Sequence, residues 1–212
     1  MKTILCYGDS LTWGYNPDGP SRYGLVDRWP SVLQKALGAE AQVIAEGLNG
    51  RTTAFDDHLG AADRNGARLL PTLLTTHSPI DLLILFLGAN DMKPWIAGRA
   101  IAARQGVQRL VDITRGHTYP LGEAAPEILI VAPPALCETA DPDFAAMFKG
   151  GVEESRMLAS LYADLADQTG CGFFDAGSVA KASPLDGVHI DAAGTRAIGR
   201  GLEPVVRMML GM

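Results

Sequence analysis

The chain has 212 residues, of which 47% are hydrophobic and 20% charged, with a formal net charge of −6. That length fits one domain spanning 1–212 with a substantial core, and the acidic balance leaves no basic surface for nucleic acid. The longest apolar run, Leu82 to Leu87, is far too short to span a bilayer, so no membrane partner is expected. Cys6, Cys137 and Cys171 are odd in number and widely spaced, which fits neither a disulfide framework nor a metal-ligand pattern. They read as buried thiols in a reducing compartment. The N-terminus lacks a long apolar stretch with a cleavage site, so a cytoplasmic location is expected.

Helix and strand patterns alternate along the chain. Thr3–Tyr7 is an apolar strand leading into Gly8-Asp9-Ser10-Leu11-Thr12-Trp13-Gly14. Gly14 to Pro20 is rich in Gly and Pro and reads as a loop. Trp29–Leu37 has helical spacing with Gly38 as its stop. Gln42–Leu48 is a second strand, ending in Asn49-Gly50-Arg51-Thr52-Thr53. Arg64–His77 reads as a helix with a kink at Pro71. Asp81–Leu87 is a continuous apolar run, as a central parallel strand requires, and ends in Gly88-Ala89-Asn90-Asp91. Ala97–Thr114 is helical and Glu127–Ala132 is the fourth strand. An irregular stretch runs to about Gly151, then Val152–Gln168 reads as one helix. Gly172–Ala176 is the fifth strand. A loop with Asp186-Gly187-Val188-His189 precedes the last helix, Ala192–Leu210, for which Asp191 is the expected N-cap.

This order predicts an α/β fold: a doubly wound, flavodoxin-like sheet of five parallel strands with helices on both faces. Such sheets bind ligands at the carboxyl ends of their strands. Ser10, Gly50 and Asn90 each follow such an end, so three turns deliver polar groups to one edge.

Ser10 falls where a helix would begin, beside unpaired amides and the positive end of a helix dipole, a good place for an acyl-transfer nucleophile. The plain alternative is that Ser10 only caps that helix. A serine nucleophile needs a base, an orienter for the base and oxyanion donors. His189 is the base candidate, because its loop after the last strand reaches the same edge. Asp186, three residues earlier, can accept from the imidazole Nδ1–H. Asn90 can donate its side-chain amide to an oxyanion, together with the backbone N–H groups of Gly50 and Ser10. His77 lies at the opposite edge, His117 has no paired acid, and His58 reads as a surface or pocket-wall residue. Asp9, Asp91 and Asp175 read as turn or N-cap residues.

With those residues in place, the chain resembles the SGNH (GDSL-type) hydrolases. Gly8-Asp9-Ser10-Leu11, Gly50, Gly88-Ala89-Asn90-Asp91 and Asp186-Gly187-Val188-His189 are similar to that family's four blocks, in order and over nearly the whole chain. The serine is not in a G-x-S-x-G elbow, since position 12 is Thr. The resemblance implies Ser10 as nucleophile, His189 as base, Asp186 as its orienter, and Ser10, Gly50 and Asn90 as the oxyanion hole. Glu46-Gly47-Leu48-Asn49-Gly50-Arg51-Thr52-Thr53 and Phe173-Phe174-Asp175-Ala176-Gly177-Ser178 narrow the likeness to a bacterial arylesterase/acyltransferase branch. That branch implies hydrolysis of short acyl esters, acetyl-type, aryl or carbohydrate, with some acyl transfer to alcohols. An acyltransferase of the branch carries Ala where this chain has Gly50, which favours hydrolysis here.

No cofactor or metal is required by this chemistry. Trp13 and Val188 are candidates to line the acyl pocket, or core residues. Trp95, Phe144 and Phe148 are candidates to cover its mouth or form a subunit interface. Together with Tyr15 and Met147 they suggest exposed apolar loops at the active edge, hence a homo-oligomer, which the branch resemblance extends to as many as eight subunits. Two other readings compete. One is a flavodoxin-like module holding a nucleotide or phosphate, disfavoured by the lack of G-x-G-x-x-G or a Walker A sequence. The other is a metal-dependent hydrolase using Asp9, Asp91 and His189, which lacks a recognised ligand spacing.

Overall fold

Alternate side chains of a strand point to opposite faces, and the first strand shows what this sequence does with that rule. In the computed structural model, which describes residues 1–19 and 21–212, β1 spans Lys2–Gly8. Leu5 and Tyr7 turn into one core, Ile4 and Cys6 into the other. Four more parallel strands follow: β2 (Ala41–Gly47), β3 (Leu82–Phe86), β4 (Glu127–Ala132) and β5 (Gly172–Asp175). Their order across the sheet is β2-β1-β3-β4-β5. This is the flavodoxin-like order, whose switch point lies beside β1. Every residue of β3 is buried, as expected of a strand covered on both faces.

The helices divide between the two cores. After α1 (Ser10–Trp13), α2 (Trp29–Leu37) packs with α8 (Ala192–Leu210) over Ile4, Cys6, Ile84 and Phe86. On the other face α3 (Gly66–His77), α4 (Ala100–Gly116) and α7 (Leu158–Thr169) cover Leu5, Tyr7, Leu83 and Leu85. The expected bounds of α2, β4 and α8 are those observed, and Asp191 caps α8 by accepting from the Gly194 amide at 2.7 Å.

Four stretches differ from expectation. The loop from Gly14 contains a short antiparallel pair, Tyr15–Asn16 with Ser21–Arg22; Pro20, also assigned to that loop, lies outside the described residues. The irregular stretch before Gly151 holds a six-residue helix, α5 (Pro142–Met147), capped by Asp141, which accepts from the Asp143 and Phe144 amides. The single helix expected over Val152–Gln168 is two, α6 (Gly151–Ser155) and α7. Ser155 Oγ donates back to the Val152 carbonyl and accepts from the Leu136 amide, and back-bonding of this kind bends helices. Last, α4 starts at Ala100, not Ala97, because Gly98 adopts a positive φ of 64° and the Glu154 carboxylate caps the Ala100 amide. The helix α3 runs on through Pro71.

The turn that carries Ser10 sits hard against β2. A Cβ on Gly47 would lie 2.3 Å from the Trp13 nitrogen and 2.7 Å from the Thr12 carbonyl carbon, both backbone atoms. Gly47→Ala therefore displaces α1 or the strand. The expected cost is about 1–3 kcal/mol of stability, the usual range for overpacking, read as a lower urea midpoint. A midpoint equal to the wild type contradicts this close approach.

Candidate active site

Four segments at the carboxyl edge of the sheet converge around Ser10: the exits of β1, β2 and β3 and the loop after β5. The first is the sharp exit from β1. Asp9, not Ser10, is the N-cap of α1: its Oδ1 accepts from the Leu11 amide at 2.9 Å. That removes the reading of Ser10 as a mere cap. Ser10 is instead the first helical residue, and its Oγ lies 2.8 Å from His189 Nε2. Gly14 ends this one-turn helix in the left-handed conformation.

The loop between β5 and α8 brings the histidine. His189 Nδ1 lies 2.6 Å from Asp186 Oδ2. A carboxylate only accepts, so Nδ1 carries the proton and Nε2 is left to accept from the serine hydroxyl. Asp186 Oδ1 also accepts from the amides of Val188 and His189, both at 2.9 Å. Burial opposes ionisation of Asp186, but the bond from His189 and these two amides outweigh it and hold the carboxyl below its ordinary range. The loop is braced at both ends: Ser183 donates its amide to the His189 carbonyl, and Cys137 donates its own to the Gly187 carbonyl. The Tyr15 ring stacks on His189 at 4.0 Å, and Phe144 approaches it edge-on at 5.9 Å.

Asn90 stands in a single 3₁₀ turn after β3. Its Nδ2 donates to the Arg51 carbonyl at 3.2 Å and to Asp9 Oδ2 at 3.4 Å, both long bonds. Gly50 occupies the turn after β2, closed by the Arg51 amide on the Leu48 carbonyl at 3.0 Å, with a φ of 83° that favours glycine. Two residues that sequence reasoning passed over hold this region. Arg51 is buried, donates from Nη1 to the carbonyls of Gly8 and Glu46, and lies 4.1 Å above the Tyr7 ring. Thr53 gives its amide to both oxygens of the buried Asp91. Asp91 is therefore a loop anchor, not a turn cap. Asp175 is the turn residue expected, accepting from the Gly177 amide at 2.8 Å.

The remaining expectations sort by position. Val188 and Phe148 are buried in the α3/α4/α7 core and face a cavity of about 220 Å³ behind Asp186, which Phe144 also lines. Phe148 is thus not an exposed loop residue, and Phe144 and Met147 are half-buried against the same core. Trp13 is half-buried under the Arg22 guanidinium at 4.6 Å, while Trp95 is 48% exposed. His77 pairs with Glu46 at 2.9 Å, His117 contacts Thr75 and Tyr119, and His58 is exposed. Among the described residues no trio of His, Cys, Asp and Glu is arranged to hold a metal ion, and no helix is long and apolar enough to cross a membrane.

The model of the GDSL-like lipase/acylhydrolase family matches residues 6–197, a span that includes every residue of this constellation. The chain belongs to that family. Among solved structures, a carbohydrate acetylesterase family member from Sinorhizobium meliloti is 68% identical, with a TM-score of 0.99 and all of both chains covered. The aryl esterase of M. smegmatis is 41% identical, with a TM-score of 0.92, covering 99% of this chain and 100% of that one. A second carbohydrate acetylesterase from Sinorhizobium meliloti is 36% identical over the same shares, with a TM-score of 0.94. A search of curated proteins finds no match. With the family shown and relatives of this identity, the protein is a serine ester hydrolase with the SGNH α/β fold.

One electrostatic feature of the site has a measurable consequence. Burial pushes the Asp9 carboxyl up to about 7, the negative Asp91 adds to the rise, and the Leu11 amide, Arg51 and Lys93 oppose it. Relative to an unfolded aspartate near about 3.9, the folded state then binds more protons between those values. The stabilising contribution of Asp9 is full below about pH 4 and is lost as pH rises through about 7. For Asp186, depressed in the fold, the sign is opposite: its contribution is present at neutral pH and lost as pH falls through its folded value. Asp9→Asn removes the first titration. Urea melts at about pH 5 and about pH 8 are expected to show the variant gaining on the wild type at the higher pH. An equal difference at both pH values means that Asp9 titrates normally.

Proposed function

We propose that Ser10 is the nucleophile, His189 its general base and Asp186 the group that orients and charge-stabilises the imidazole. The observation that carries this reading is the continuous chain from Asp186 Oδ2 through His189 to Ser10 Oγ, at 2.6 and 2.8 Å. Ser10 attacks the ester carbonyl as its proton passes to His189 Nε2. The same proton then goes to the leaving alkoxide, giving an acyl-enzyme and free alcohol. Water, deprotonated by His189, attacks the acyl carbonyl and releases the acid. We assign the backbone N–H groups of Ser10 and Gly50 and the Asn90 side-chain amide as oxyanion donors. The 3.4 Å bond from Asn90 to Asp9 is weak enough for a developing oxyanion to replace it.

The substrates we propose are short-chain acyl esters, acetyl esters of carbohydrate or aryl alcohols foremost. Tyr15 and Phe144 crowd the imidazole, with Val188 and Phe148 packed behind it, which leaves little room for a long acyl chain. The acetylesterase and aryl esterase names of the similar structures support the same class. No comparison supports acyl transfer or a nucleotide-binding module, and hydrolysis is the reaction we assign. We also propose a homo-oligomer, of up to eight subunits, in a reducing cytoplasm. Exposed Leu25, Val26, Leu59 and Trp95 support the first, and the three free thiols the second. Light scattering reads the assembly directly, and a monomer at working concentration refutes it.

Kinetics on 4-nitrophenyl esters test the roles. Ser10→Ala is expected to lower kcat by a factor on the order of 10⁶, Asp186→Asn by up to about 10⁴ through the wrong tautomer. A Ser10→Ala protein with a tenth of wild-type activity removes Ser10 from the mechanism. Across acyl lengths, kcat/KM is expected to peak at acetate or propionate. A peak at octanoate sinks the short-chain assignment.

A further inference from the structure

The segment from Asp57 to Arg64 folds back over Gly50, and the triad does not account for it. Arg64 Nη1 donates to Asp57 Oδ2 at 2.7 Å, and the Asp57 side chain is only 2% exposed. Asp57 Oδ1 accepts the Leu59 amide at 3.1 Å, which closes the turn. The guanidinium then packs against two glycines. A Cβ on Gly50 would lie 2.6 Å from Arg64 Nε and 2.7 Å from its Cζ, and one on Gly60 would lie 2.5 and 2.6 Å from the same atoms. Backbone bonds lock the two segments together: the Thr52 amide donates to the Arg64 carbonyl at 3.0 Å, and the Gly66 amide to the Thr52 carbonyl at 3.3 Å. The neighbouring residue of the Gly50 turn is tied separately, by Arg51 Nη1 on the Gly8 carbonyl at 2.8 Å.

We propose that Arg64, clamped by Asp57, is a positioning residue for the reaction: packed on the α-carbon of Gly50, it fixes the turn that aims the Gly50 N–H at the oxyanion. The inference rests on the reading of Gly50 as an oxyanion donor. It explains why position 50 takes glycine here beyond its positive φ, since any side chain would displace the guanidinium. A donor of this kind has to be held within about 0.5 Å of its productive place. A misplacement of about 1 Å costs as much as about 100-fold in rate. The side-chain hydrogen bond of Arg64 runs to Asp57, and those of Ser10, His189 and Asp186 run among themselves and to their own loop, so removal of Arg64 is expected to move one donor and leave the nucleophile in place.

The test measures kcat and KM on 4-nitrophenyl acetate, Ki for an acyl trifluoromethyl ketone, and the urea midpoint, for Arg64→Ala, Gly50→Ala and the double variant. The ketone forms a tetrahedral adduct with a serine nucleophile and so reads the oxyanion donors. Arg64→Ala is expected to lower kcat about tenfold or more with KM within about twofold, and to raise Ki by the same factor as the kcat loss. Gly50→Ala is expected to be costly in the wild-type background and at least about threefold less so once Arg64 is gone, because the space has opened. Equal costs in both backgrounds, or an Arg64→Ala protein with wild-type kcat and Ki, overturn the proposal. Should Arg64→Ala lose its fold, Arg64→Lys keeps the pairing with Asp57 but not the flat face. It is expected to lose kcat at an unchanged urea midpoint, and wild-type kcat and Ki in that variant also overturn the proposal. Asn90→Ala separates the two levels: a raised Ki there with no change for Arg64→Ala leaves the oxyanion reading standing and removes the role of Arg64. No change in either removes both.

Discussion

The bond between Asp186 and His189 is the interaction on which the site depends. Both groups are buried, and a buried imidazolium without a carboxylate partner is costly. The carboxylate in turn needs more than the histidine, since its own burial favours the neutral form. The Val188 and His189 amides meet that need by aiming at the oxygen the ring does not use. Asp186 and His189 are three positions apart in sequence, but His189 and Ser10 are 179 apart. The loop after β5 bridges that distance, reaching along the carboxyl edge past β4 and β3 to the exit of β1.

The same edge gathers an unusual density of buried charge. Asp9, Asp57, Asp91 and Asp186 are buried there, with Arg51 and Lys93 among them. Burial raises Asp9 to about 7 and Asp91 to about 6. Their partners are mostly backbone groups of the three turns: the Leu11 amide for Asp9, the Thr53 amide for Asp91, the Gly8 carbonyl for Arg51. Each charge therefore fixes a loop as well as finding a partner. This is how irregular backbone, lacking ladder hydrogen bonds of its own, is held rigid.

What the sequence makes legible follows from the range of the forces involved. Strand and helix patterns are local, so the five strands and α2 and α8 are readable within a residue or two. The gathering of Ser10, Gly50, Asn90, Asp186 and His189 at one edge is readable because parallel strands bring their carboxyl ends together, whatever the details of packing. Other features turn on contacts between distant segments. Only the closed structure shows Tyr15 stacking on His189, Arg51 reaching Gly8, or Phe148 turning inward and not out to a subunit interface. The helix α5 is too short for periodicity, although Asp141-Pro142 carries a capping signature that marks its start. The break after Ser155 depends on the Leu136 amide, 19 residues away.

In the proposed mechanism the hydrogen-bonded chain ending at Ser10 makes this one hydroxyl nucleophilic. Reaction with a fluorophosphonate, followed by mass mapping of the adduct, tests it most directly, because the reagent needs an activated serine and no knowledge of the natural ester. A single adduct is expected on the peptide carrying Ser10, formed far more slowly in His189→Ala. An adduct on another residue, or the same labelling rate without His189, would contradict it.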